Sequence, residues 1–172
     1  MPIRTLTRTL TRTPPTPVSF MPPEPTRYRS KTVAAWLALL LGTLGLHRVY
    51  LHGPSDAKAW LHPLPTALGL LGVMRLRRFG QDDYLAWLLI PALGLMISMA
   101  MLFAILYALT PDEKWDARHN AGHAVKATGW GPVLAAIAAL LIGAAVLMGT
   151  VAYGGQKFFE WQLAGAQQPG RR

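Results

Sequence analysis

The chain has 172 residues, 52% hydrophobic and 15% charged, with no cysteine and a formal net charge of +9. The lack of cysteine excludes a disulfide-stapled secreted scaffold. Charged residues fall well below the roughly 25% of ordinary globular chains and are nearly absent from several long Leu/Ala/Gly/Ile/Val/Met stretches, which excludes a soluble enzyme of usual build. The expectation is an all-α, polytopic membrane protein whose basic residues set its orientation rather than bind nucleic acid.

In chain order, residues 1–30 come first and lack the composition of a core. Thr5-Leu6-Thr7-Arg8 repeats as Thr9-Leu10-Thr11-Arg12, and Pro14, Pro15, Pro17, Pro22, Pro23 and Pro25 follow. Such a Thr/Arg- and Pro-rich arm is expected to be disordered. Arg4, Arg8 and Arg12 without an acid also suit an organellar transit peptide, although Thr-rich segments near prolines form helices poorly. Translation from Met21 is an alternative start. Arg27, Arg29 and Lys31 are expected to form a cytoplasmic basic collar touching anionic lipid.

The first apolar run, 32–46, is 15 residues, about 22 Å as a helix and too short to cross. Extended through Leu51 it reaches 20 residues, with Arg48 snorkelling near its end. No small-x-small cleavage site follows, so it reads as an uncleaved signal anchor. The second segment, 57–74, holds Lys58, His62, Pro63 and Pro65 and must kink or break near Pro63. It either spans with a kink, or 57–61 lies in the interface and 66–74 forms a half-helix.

Two stretches are unambiguous: 84–109, 26 uncharged residues containing Pro91, and 130–153, 24 uncharged residues. Tyr84, Trp87, Tyr107, Trp130 and Tyr153 fall near their ends, where amphipathic rings prefer to sit. Between them, Thr110-Pro111-Asp112-Glu113 is a helix start and predicts a short helix over 111–118 with Trp115 anchored in the headgroups. After them, Lys157-Phe158-Phe159-Glu160-Trp161 suggests an interfacial turn, and 162–172 a frayed tail.

Counting Lys and Arg chooses the threading. Four spans with both termini cytoplasmic put 12 of the 17 on the cytoplasmic side, whereas three spans divide them nine to eight. The expected architecture is therefore four transmembrane helices in two hairpins, 31–78 and 79–161.

Arg29 to Gly53 reads RSKTVAAWLALLLGTLGLHRVYLHG. This resembles the TM2-domain family, whose first helix has a basic start, an Ala/Leu run and a G-x-x-G-x-H-R-F-Y-x-G type ending. The matching positions are Lys31, Ala34, Gly42, Gly45, His47, Arg48, Tyr50 and, shifted by one, Gly53. Val49 stands where the family usually has Phe, and the acid that usually ends the family's second helix is missing near Met74. The likeness covers about residues 30–74 and implies a membrane helical hairpin, commonly in small proteins of the bacterial inner membrane.

Gly42 and Gly45 free one stretch of helix for close approach, and Gly69 and Gly72 repeat the spacing in the second segment, so the two pairs are expected to meet. His47, Arg48 and Tyr50 would then cap that hairpin, or hold a ligand, lipid or partner there. Asp116, His119 and His123 share a helical face but read as a solvated loop rather than a metal site. Asp82 and Asp83 are expected to balance Arg75–Arg78 or cap the third span, and His62 to satisfy a carbonyl freed by Pro63. Ala135, Ala139 and Gly143, and Gly94 with Ser98, form small-residue stripes for helix packing.

No phosphate loop, nucleophilic set or paired buried carboxylates can be assembled, so neither an enzyme nor a cofactor is expected. The expected function is a structural or interaction component of the membrane, contacting lipid, other membrane proteins or its own copies. The alternative is a small channel or transporter using His62 and the broken second helix.

Overall fold

A computed structural model describes residues 27–166, which are all helix and connecting loop, with no strand among them. The helices are α1 (Lys31–Leu41), α2 (Leu46–His52), α3 (Ala57–Leu61), α4 (Pro63–Phe79), α5 (Tyr84–Leu109), α6 (Asp112–His119) and α7 (Gly131–Ala166), with a 3-10 turn at Gly42–Leu44. The Thr/Arg repeats, the Met21 start and the last six residues lie outside the described residues.

The axis of the fold is α5, 26 residues and about 39 Å long. Asp83 starts it, accepting from Leu85 N at 3.1 Å while pairing with Arg75 at 2.7 Å, so this acid both caps the helix and balances the basic run. Pro91 lies inside the helix without ending it. Against α5 runs α7, antiparallel along its whole length. Ala135 and Ala136 meet Ala108, Ala139 meets Ala100, Met101 and Ala104, Thr150 meets Gly94, and Lys157 Nζ donates to Gln81 O at 3.2 Å. The small-residue stripes pack within one copy: a Cβ on Gly143 would sit 2.8 Å from Met101 Cβ, and one on Gly94 would collide with Thr150.

α5 and α7 are both long and apolar enough to cross a membrane. In their most apolar stretches only 17% and 22% of residues are buried, so most of that apolar surface faces outward.

The first two apolar segments do not form the expected side-by-side hairpin. They sit end to end along α5. Entering beside the end of α5, where Lys31 Nζ reaches Thr110 O at 3.0 Å, α1 descends past Ala108 and Ala104 and stops where Gly42 meets Ala100. There the chain turns through Gly45, in the left-handed region at φ 76°, and α2 climbs back until Leu51 packs on Ala34 and Trp115. The 20-residue span over 32–51 is thus two short helices, of 11 and 7 residues, that enter and leave at the same end. Glycine makes this possible, because a left-handed residue with a Cβ is strained.

The other half of α5 is covered by α4, running antiparallel to it. Gly69 abuts Leu93, a Cβ on Gly72 would lie 2.7 Å from Leu89 Cβ, and the Arg75–Asp83 pair closes the hairpin. Gly69 and Gly72 therefore serve α5, and the anticipated meeting with Gly42 and Gly45 does not occur. The predicted break at Pro63 is present: α3 ends at Leu61 and α4 begins at Pro63. His62 fills the gap, its Nδ1 2.8 Å from Lys58 O, and so answers a carbonyl the break leaves free. Together 57–79 amount to about 34 Å of helix, comparable with the ~30 Å hydrocarbon layer.

Two further expectations change. Residues 162–166 continue α7 instead of fraying. The short helix is Asp112–His119, one residue later than predicted, because Thr110 and Pro111 are both extended, at ψ 129° and 145°.

Candidate functional site

The motif residues Gly42, Gly45, His47, Arg48, Tyr50 and Gly53 all belong to the α1–α2 return. Gly45 is pressed against Ala59 O of α3, where a Cβ would have no room. Gly53 ends α2 at φ 88°, its N–H bonded to Val49 O. Arg48 Nε donates to Asp56 Oδ2 at 2.9 Å, and the other oxygen of Asp56 caps α3 by accepting from Lys58 N at 3.0 Å. The expected snorkelling Arg48 is instead a brace between α2 and α3. Tyr50 is a brace as well, its hydroxyl accepting from Ser30 N at 2.9 Å. Thr66 donates to Thr43 O at 2.8 Å and so answers a carbonyl of the 3-10 turn from α4.

His47 has a different setting from the other motif residues. It is fully buried, and neither ring nitrogen has a hydrogen-bond partner among the described residues. Its ring centroid lies 5.6 Å from that of His62, 5.3 Å from Phe103 and 5.9 Å from Tyr107. A buried imidazole left unpaired costs about 1–3 kcal/mol, so this packing gains nothing from the polarity of the residue.

A polar clasp holds the open end of this unit. Buried Lys31 forms an ion pair with Asp112, whose carboxylate also accepts from Thr128 N at 2.9 Å and Thr128 Oγ1 at 2.7 Å. The Lys31 ammonium and these donors hold the Asp112 carboxyl down to about 2. Buried Asp116 accepts from Asn120 Nδ2 at 2.6 Å and Lys126 N at 3.0 Å, which places its pKa below the usual carboxylate range, chiefly through Asn120. Asn120 Oδ1 and Trp115 Nε1 grip the backbone of Arg29, at 2.7 Å from its N and 2.8 Å from its O. The Arg29 guanidinium donates to Leu51 O.

Three expectations are corrected here. Trp115 is buried against Ala34 and Leu51 rather than anchored in headgroups. Lys31 and Arg29 are tied inward rather than forming a free collar. Asp116 is committed to Asn120 and Lys126, while His119 packs tilted against Trp115 at 4.5 Å and His123 meets Tyr28 edge-on at 6.0 Å, so the three do not converge. Burial lowers the pKa of His119 and favours its neutral form.

Asp56, Asn120 and Thr66 were not singled out in the sequence. Asp56 carried a legible signal, an Asp one residue before a helical run. Asn120 and Thr66 act on backbone 91 and 23 residues away, and nothing local announces them.

No family model matches the chain, and no curated protein or solved structure matches it.

Proposed function

We propose that the chain is an integral, multi-pass membrane protein serving as a structural or interaction component, without catalysis, built around a TM2-type N-terminal unit. The observation that carries this is the outward-facing apolar surface of α5 and α7. Leu88, Leu102, Leu140, Leu141 and Met148 are exposed along both helices, and water would penalise such a face at about 25 cal/mol per Å2. Hydrocarbon carries no such penalty. The TM2 likeness rests on the six motif residues.

The packing supports a threading other than four crossings. In this reading 57–79, α5 and α7 cross, while α1–α2 dips in and returns. Residues 27–31, 53–56 and 110–130 then share one side, and 75–83 and the end of α7 share the other. Among the described residues the first side holds six Lys and Arg and the second four, so the first side is cytoplasmic. Reporters fused before Arg27 and inserted at Gly122 should label the same side, with one at Gly80 on the opposite side. If the first two labelled opposite sides, the re-entrant reading would be wrong. An alkaline wash of membranes tests the broader reading, since release of the chain would contradict it.

Unpaired His47 beside His62 favours a second reading, a small proton or ion pathway starting at the helix break. Flux into liposomes, abolished by His47→Leu and by His62→Ala, is its expected signature. Equal flux from all three proteins would remove it.

A further inference from the structure

The end of the bundle opposite the clasp holds a cavity of about 310 Å3 between the start of α5 and the end of α7. Tyr84, Trp87 and Trp161 supply aromatic walls, and Asp82, Glu160 and Lys157 supply charge. Asp82 has no ion-pair or hydrogen-bond partner among the described residues. Lys157 gives two of its three N–H donors to Glu160, at 2.7 Å, and to Gln81 O, leaving one. A site with aromatic faces and two carboxylates accepts a cation, and an adjacent ammonium with a spare donor accepts an anion.

A second cavity lies further along the same seam. It is an apolar groove of about 550 Å3, lined by Leu95, Ser98, Leu102 and Ile105 of α5 and by Leu140 and Ala144 of α7. The one hydroxyl among these donates to Gly94 O at 2.9 Å, so it presents no free donor to the groove. Tyr84, Trp87, Pro91, Leu95, Ser98, Leu102 and Ile105 recur at steps of three or four and share one face of α5. Leu95 is about 12 Å from Trp87 along the helix. A charged, aromatic cleft and an apolar groove thus lie about 12 Å apart on one face of α5, the spacing of a headgroup and its acyl chain in the membrane reading.

The geometry points to a binding site for one zwitterionic phospholipid, its amino headgroup in the cleft and one acyl chain in the groove. The ammonium sits against Asp82 and Glu160 under the indole and phenol rings, and the phosphate takes the remaining donor of Lys157. This site rests on the membrane reading and adds the lipid class to it. Phosphatidylglycerol could present its phosphate to Lys157 in the same way but brings no cation to Asp82 and Glu160, so it is disfavoured.

The test uses the full chain purified in detergent, with native mass spectrometry after addition of phosphatidylethanolamine and phosphatidylglycerol carrying identical chains. Retention should favour phosphatidylethanolamine by about fivefold. Asp82→Asn, alone and with Glu160→Gln, should bring the ratio towards one. Ala144→Phe, which obstructs the groove, should lower retention of both lipids without changing their ratio, and Glu113→Gln at the other end should change neither. Each variant is taken forward only with native helical signal and elution volume, and exposed Asp82→Asn keeps the test usable if the double variant misfolds. A ratio near one in the unaltered protein, or one that survives in Asp82→Asn, would overturn the site. Displacement of the lipid by chainless glycerophosphoethanolamine at equal concentration would overturn the role of the groove. Stable membrane residence alongside a ratio of one would remove this site and leave the membrane reading standing.

Discussion

The α1–α2 return and the α5–α7 pair are built from the same Ala, Leu and Gly residues, yet different forces hold them. In the return, the reversal and both ends are fixed by named polar groups: Arg48 on Asp56, Tyr50 on Ser30, Thr66 on Thr43, and the Lys31–Asp112 clasp above. In the pair, contact depends on absent side chains, with Ala135, Ala139 and Gly143 lying against Ala108, Ala104 and Met101. The reason is geometric. A straight helix satisfies its own backbone, whereas a chain reversing inside a bundle exposes carbonyls and amides that need partners. The reversal therefore gathers the polar residues, and the straight pair does without them.

The largest test of this contrast is Gly45→Ala. The substitution meets both a left-handed backbone at φ 76° and the carbonyl of Ala59, and is expected to destabilise by about 3 kcal/mol in detergent denaturation. Gly149→Ala in α7, where an added Cβ meets nothing within 4 Å, should instead stabilise by about 0.5–1 kcal/mol. Similar effects at both sites would erase the distinction.

His47→Leu tests whether every polar group in the return contributes. Because neither ring nitrogen is paired, the apolar replacement should raise stability by about 1–3 kcal/mol, read as a higher Tm. A loss of that size would show that the imidazole is paired in the membrane-embedded protein. In the straight pair, Gly94→Val brings a side chain against Thr150 and should cost about 1–3 kcal/mol. It should act with little change in the structure of the return, which proteolysis between α2 and α3 would report.

The same contrast explains what could be read from the sequence. The long apolar helices over 84–109 and 130–153 were legible because length and lack of charge are local properties, and the 84–109 bounds match α5 residue for residue, while α7 runs on to Ala166. The Pro63 break and the carbonyl contact of His62 were legible because proline acts on its own turn. The reversal at Gly45 was not. A glycine pair three residues apart reads equally as a packing face or as a turn, and what decides is contact with Ala59 and Ala100, far along the chain. Trp115 misled for a related reason: an indole suits an interface or a buried hydrogen bond equally well, and Arg29 O determines which. Charge counting depends on the same point, since the proposed threading, in which the first run does not cross, keeps residues 27–31 cytoplasmic and reverses the side assigned to everything after that run.

The smallest expected effect is the most specific to the clasp. Asp112 titrates at about 2 in the folded protein against 3.8 unperturbed, with Lys31 the leading cause. A carboxyl with a lowered folded pKa stabilises fully above its unfolded value and loses that contribution as pH falls towards the folded one. The loss therefore runs from about pH 4 down to about pH 2. With the side chain 23% exposed, solvent screening brings the contribution to about 1 kcal/mol. Asp112→Asn should flatten that part of the stability profile, whereas Gly94→Val should lower the whole curve and keep its acid slope. Should both variants shift the curve in parallel, the clasp would not be an electrostatic fastening. The open end of the α1–α2 return would then be held, like the straight pair, by packing alone.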